Sequence, residues 1–374
     1  MATSARDYEH GMAVILTRLL VFLRCHEQLQ QDIDFSQPRV AQQRLREQHD
    51  EYLGALPAQL AMLLPPPEVQ GAHRQLSAAL DLWTRAVARL LAGSGPDFGL
   101  AFIESRRLWC AGLALAYGVR EAFPALQCYW VTDDALTRVA MLDAPAADAR
   151  VPLGVQQEAA SSSHAAYAVY VPECYTPSRA WPVVVCLHGA YGHGHEYLWT
   201  WLRVARSHGC IVLAPKSRGP TWSIVDPAVD IASIRAMLTA VGARYHIDAA
   251  RIYLSGLSDG GSFAYLMALS CPSVIAAVAP VAGVLHPIAD RLLRAKQGVQ
   301  VPLLVVHGAR DFIFDVRSVR DNCALLQHIG YQITYIELPE WGHAYSDDIN
   351  ARLVWPWFAA LAPRVRDSAT DSAT

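Results

Sequence analysis

The chain has 374 residues, 53% hydrophobic and 17% charged, with a formal net charge of −3. That apolar fraction excludes a disordered chain, and the near balance of charge excludes a nucleic-acid binder working through a basic field. Lys216 and Lys296 are the only lysines and no GxxxxGK[ST] string occurs, which excludes a phosphate-loop nucleotide site.

Up to Phe123-Pro124 the apolar residues recur at helical spacing. Met12, Ile15, Leu16, Leu19 and Leu23 mark one face, and Leu76, Leu80, Trp83, Val87, Leu90 and Leu91 mark another. Two further segments run over about residues 37–64 and 97–123. Ser36-Gln37-Pro38, Pro65-Pro66-Pro67 and Gly93-Ser94-Gly95-Pro96 separate the segments. Long amphipathic helices with short connections pack antiparallel, so residues 1–123 are expected to form an all-α domain of four helices. Two roles suit it: a lid that narrows access to a site, or a unit for stability and homo-oligomer formation.

Beyond Pro124 the texture changes. Residues 124–165 read as a connector with edge strands, rich in Ala, Pro and Ser from 143 onward. Short apolar, often β-branched runs follow at 166–171, 182–187, 210–214, 251–255, 274–282, 302–306 and 332–338. Helical patterns lie between them near 229–245, 262–270 and 316–329. This alternation predicts an α/β domain over residues 166–362, its mainly parallel sheet covered on both faces. The tail, residues 363–374, repeats Asp-Ser-Ala-Thr and is expected to be disordered.

Eight cysteines, none in a CxxC pair, sit mostly in apolar runs, the pattern of free thiols in a reducing compartment. The N-terminus lacks a secretory plan, and the longest apolar runs are too short or too broken to span a bilayer. The expectation is a cytoplasmic protein without stable membrane insertion. Gly192-His193-Gly194-His195 makes a poor metal site, since no acidic or cysteine cluster accompanies it; no metal is expected.

The chemistry concentrates in Ser255-Gly256-Leu257-Ser258-Asp259-Gly260-Gly261, which follows a predicted strand and precedes a helical pattern. Gly256-x-Ser258-x-Gly260 is a nucleophile-elbow string: a serine on a tight strand-to-helix turn needs small residues on both sides. The helix N-terminus then offers free N–H groups to the negative charge that develops in acyl transfer. Two more strands run into Asp311, in His307-Gly308-Ala309-Arg310-Asp311, and into His343, in Trp341-Gly342-His343. Ser258, Asp311 and His343 thus stand just past strand ends that share one edge of a parallel sheet, where they can converge. His343 would take the serine proton and Asp311 would hold the imidazole tautomer, with Asp315 as the rival acid. The strand at 182–187 ends in His188-Gly189-Ala190-Tyr191-Gly192, placing an oxyanion donor at the backbone N–H of Ala190, with Tyr191 as fallback, beside that of Asp259. The Asp259 side chain is read as a favourable charge in the first helical turn. Trp199, Trp222 and Trp341 are substrate-binding candidates, with packing as their alternative.

On these strings, residues 166–361 resemble the α/β-hydrolase superfamily, and within it the phospholipase/carboxylesterase and polyhydroxybutyrate-depolymerase-like esterases. The resemblance implies a serine hydrolase that cleaves carboxylic esters, small or lipid-like, through an acyl-enzyme and without a cofactor. Thioester or peptide hydrolysis on the same residues is the nearest alternative. A catalytically silent binding protein of the same fold is the alternative outside enzymes. The resemblance does not extend to the helical N-terminal part, and the short span from Gly283 to Pro302 leaves no room for a large helical cap.

Overall fold

The apolar stripes of the first third of the chain are helices in the computed structural model, which describes residues 5–31, 33–35, 37–142, 151–294, 300–343 and 347–364. Two compact units emerge, Met1–Val139 and Ala140–Thr374. In the first, the helices Ala5–Gln31 and Gln70–Ala92 bury the faces marked by Leu19, Leu23, Leu76, Leu80 and Trp83. Trp83 is fully buried, and its indole N–H donates to the Trp109 carbonyl at 3.2 Å. Gly112, in the helix Phe98–Gly118, makes room for that ring: a Cβ there would lie 2.4 Å from Trp83 Nε1. His26 is buried against Trp109 with ring centroids 3.7 Å apart. Burial, assisted by the Arg106 charge, pushes its imidazole down to about 3. Helical structure continues past Phe123-Pro124, through Pro124–Tyr129 to Val139–Leu142.

The second unit is built on eight strands: β1 (Gly154–Glu158), β2 (Tyr167–Val171), β3 (Trp181–Leu187), β4 (Ile211–Pro215), β5 (Ile247–Leu257), β6 (Ala277–Val281), β7 (Leu303–Gly308) and β8 (Ile333–Leu338). Their order across the sheet is β1-β2-β4-β3-β5-β6-β7-β8. β1 pairs antiparallel with β2, β2 pairs antiparallel with β4, and the rest are parallel. Strands β2, β4, β6 and β7 are buried along their whole length, as continuous apolar runs must be when helices cover both faces. β1, Gly-Val-Gln-Gln-Glu, is a polar edge strand without the alternation that marks a half-buried strand, and it lies in the stretch expected to hold a connector with edge strands.

The helices Trp199–His208, Ala228–Arg244, Asp259–Ser270 and Val316–His328 connect these strands. Leu187 of β3 pairs with Gly256 of β5, and Gly308 of β7 with Leu338 of β8, so the segments after these strands leave from one edge. Among the described residues, no helix is long and apolar enough to cross a membrane. The Asp-Ser-Ala-Thr repeat at 367–374 and residues 143–150 of the connector lie outside the described residues.

Candidate active site

Ser258 sits at the turn between β5 and the helix Asp259–Ser270 with φ 56° and ψ −120°. A non-glycine residue held there carries strain of about 1–3 kcal/mol, which its surroundings must outweigh. They do so by backbone packing. A Cβ on Gly256 would meet the Gly260 carbonyl oxygen at 2.3 Å, and one on Gly260 would meet the Leu187 oxygen at 2.4 Å. The two glycines of the elbow string therefore let helix and sheet close on the serine. The Ser258 N–H donates to the Val281 carbonyl at 3.0 Å, tying the elbow to β6.

Asp311 and His343 come together because their two turns pack backbone to backbone. A Cβ on Gly308 would lie 2.4 Å from the Trp341 oxygen, and the Arg310 N–H donates to that same carbonyl at 2.8 Å. The result is a continuous chain of polar atoms. His343 Nδ1 is 2.8 Å from Asp311 Oδ2, and His343 Nε2 is 2.8 Å from Ser258 Oγ. Asp311 Oδ1 accepts the N–H groups of Ile313 at 2.8 Å and Phe314 at 2.9 Å. Burial alone would raise the Asp311 carboxyl. The His343 hydrogen bond and charge, with the Phe314 and Ile313 amides, outweigh it and hold the group below its ordinary value. Asp315 is exposed and caps the helix Val316–His328, accepting the Arg317 N–H at 2.9 Å. It is not the acid that meets His343.

The oxyanion side is ordered by the loop after β4. Asp230, fully buried, accepts the N–H groups of Arg218 and Ser223 at 2.8 Å each and so shapes that loop. From it the Pro220 carbonyl accepts the Tyr191 N–H at 3.0 Å. That engagement corrects the expectation of Tyr191 as fallback donor. Among the described residues, the N–H groups of Ala190 and Asp259 have no hydrogen-bond partner. Gly189 lies alongside the nucleophile, its Cβ position 3.5 Å from Ser258 Cβ. The Asp259 carboxylate accepts the Thr221 hydroxyl at 2.6 Å, a tie the sequence reading did not include.

The three candidate tryptophans differ in burial. Trp222 is 2% exposed, stacks on Phe263 at 5.2 Å and donates its indole N–H to the His188 carbonyl at 2.7 Å. Its ring is enclosed between Phe263 and His188. Trp199 is also buried, at the start of its helix, and Trp341 is half-buried in the turn before His343. The rings that stand edge-on to His343 are Phe314 at 5.5 Å and Phe312 at 6.5 Å. Phe312 and Ile313 are each 52% exposed. Their signal was an apolar triplet, Phe312-Ile313-Phe314, placed directly after the acid in a turn that polar residues would ordinarily fill. His193 and His195 lie 5.3 Å apart, and no group of three metal-binding side chains occurs among the described residues.

A mainly parallel sheet of this order, with the serine elbow after β5, an acid after β7 and a histidine after β8, is an α/β-hydrolase fold. Residues 165–330 match the family described as Esterase PHB depolymerase, a span that includes Ser258 and Asp311 but ends before His343. The chain is 30% identical over 158 residues to a bifunctional acetylxylan esterase/xylanase of Neocallimastix patriciarum, covering 40% of this chain and 22% of that protein. It is 34% identical over 128 residues to feruloyl esterase B of Neurospora crassa, covering 31% of this chain and 43% of that protein. The chain thus spans less than half the length of either relative. Among solved structures it is similar to the acetyl xylan esterase from Aspergillus awamori, with 18% identity, a TM-score of 0.48, and coverage of 55% of this chain and 99% of that one.

Proposed function

We propose that the α/β unit is a serine esterase, with Ser258 as nucleophile, His343 as general base and acid, and Asp311 as the orienting carboxylate. The observation that carries this reading is the His343 ring bridging Ser258 Oγ and Asp311 Oδ2 at 2.8 Å on each side. Ser258 Oγ attacks the acyl carbon while His343 Nε2 takes its proton. The oxyanion that forms is received by the N–H groups of Asp259 and Ala190, each worth about 2.7–4 kcal/mol in the transition state. The tetrahedral intermediate collapses as His343 returns the proton to the leaving alkoxide, releasing the alcohol. Water then attacks the acyl-enzyme by the same route, regenerating Ser258 and freeing the acid. Similarity to an acetylxylan esterase/xylanase, a feruloyl esterase and a poly(3-hydroxyalkanoate) depolymerase of Paucimonas lemoignei supports carboxylic esters as substrates.

Hydrolysis of nitrophenyl esters of rising acyl length, together with fluorophosphonate labelling, tests the reading. Turnover and labelling in the wild type, both lost in Ser258→Ala, are expected. Labelling without turnover of any nitrophenyl ester would overturn it. The eight free cysteines support a reducing, cytoplasmic location, and self-association through the helical unit is a further part of the proposal. Thiol titration of the protein isolated from its cells tests the first, and sedimentation of the full chain tests the second.

A further inference from the structure

A peptide N–H stabilises an oxyanion only if its plane is held still. The plane that carries the Ala190 N–H also carries the Gly189 carbonyl, pointing the opposite way across a trans peptide. Whatever grips that carbonyl therefore aims that N–H. Two donors grip it: the Gly192 N–H at 3.1 Å and the Nδ1 of His188 at 2.7 Å. The other His188 nitrogen, Nε2, accepts the Ser217 N–H at 3.1 Å, so the ring proton resides on Nδ1. The ring is 1% exposed and stands 4.8 Å from Trp222, whose indole N–H holds the His188 carbonyl.

We propose that His188 is a positioning residue for the oxyanion site: its Nδ1–H fixes the Gly189–Ala190 peptide so that the Ala190 N–H faces the acyl oxygen on Ser258, and Ser217 keeps the ring in the tautomer that can do so. The proposal rests on the serine-esterase reading and deepens it. Burial pushes the imidazole down to about 3, opposed by the Gly189 hydrogen bond and assisted by Lys216 and His193, so the ring stays neutral under ordinary assay conditions. The ring thus acts as a constant brace and never titrates during turnover.

Two substitutions separate its two bonds. In His188→Asn the amide nitrogen reaches the place of Nδ1 and keeps a donor for Gly189. In His188→Gln the amide oxygen reaches the place of Nε2 and keeps only the acceptor for Ser217. Steady-state kinetics of the full chain on a nitrophenyl ester are expected to show kcat falling about tenfold or more in the Gln variant, within the ~10²–10³-fold of a lost oxyanion donor. KM should change little, and the Asn variant should recover most of the rate. Equal losses in both, or a loss carried by KM, would overturn the proposal. Nitrogen NMR of the wild type, labelled at histidine, provides a check that needs no variant: Nδ1 protonated and Nε2 unprotonated is expected, and the opposite tautomer overturns it. Ester turnover surviving in Ser258→Ala would instead sink the esterase reading.

Discussion

Thr221 donates its hydroxyl to the Asp259 carboxylate at 2.6 Å, so the loop after β4 grips the residue directly beyond Ser258. The same loop reaches the other side of the site through Ser217, Pro220 and Trp222. One segment thus refers both proposed oxyanion donors to a common frame.

Thr221→Val keeps the shape of the side chain and removes its donor. A hydrogen bond to a charged group is worth about 1.5–3 kcal/mol, and the half-buried setting of Asp259 places this one at the low end. Steady-state kinetics should show kcat several-fold lower with KM nearly unchanged. An unaltered kcat would mean that the elbow helix keeps its place without the loop.

The two acids of the 311–315 turn make a contrasting pair. Asp311→Asn retains the geometry but supports the wrong imidazole tautomer, and kcat should fall on the order of 10⁴-fold. Asp315→Ala removes only a helix cap, costing about 1 kcal/mol of stability while kcat stays near the wild-type value. A thermal melt and an ester assay on both variants check this, and the reverse ranking of activities would exchange the roles.

Gly260→Ala would force a methyl group to within 2.4 Å of the Leu187 oxygen and 2.5 Å of the His188 oxygen. Both obstacles are backbone, so the helix must retreat from β3. Overpacking of this kind costs about 1–3 kcal/mol, and the retreat also carries the Asp259 N–H away from the site. Denaturant unfolding should show the loss of stability, accompanied by a fall in kcat. A variant with wild-type kcat would show that the close approach is dispensable.

Acid should weaken both units. His26 in the helical unit and His188 in the α/β unit are held neutral with values of about 3, against about 6.5 in the unfolded chain. Between those limits the unfolded chain binds protons that the native state refuses. The stability is therefore complete above pH ~6.5 and declines as pH falls toward ~3, by up to about 1.4 kcal/mol per pH unit for each ring. The depressed Asp311 carboxyl adds a later loss: its contribution is present above the ordinary carboxylate value of ~3.9 and disappears as pH falls through its lowered native value. Urea unfolding from pH 7 to 4 measures the slope, and His26→Gln should make the helical unit less sensitive to acid. An acid slope unchanged by that substitution would contradict the burial argument.

The serine, its acid and its histidine were legible because each is announced by a local rule: two glycines around the serine, and a strand running into a turn for the other two. The central strands were legible because full burial writes itself as unbroken apolar runs. The polar scaffold was not. Ser217 and Thr221 bond to residues 29 and 38 positions away, Asp230 takes two backbone N–H groups of the loop before its helix, and such bonds leave no periodicity. Trp222 stayed ambiguous for a related reason: a large ring near a strand end suits either an open wall or a buried support, and its sequence does not show the neighbours His188 and Phe263 that bury it.

The buried Asp230 anchor divides the rim of the site into two kinds of terrain. Residues 216–223 are bonded to His188, Tyr191, Asp230 and Asp259 at once, so an engineer who inserts or deletes there should forfeit the proposed activity outright. Phe312 and Ile313, by contrast, are each 52% exposed, with the Phe312 ring edge-on to His343. A mutant library restricted to those two positions should yield altered ester selectivity from variants that still fold.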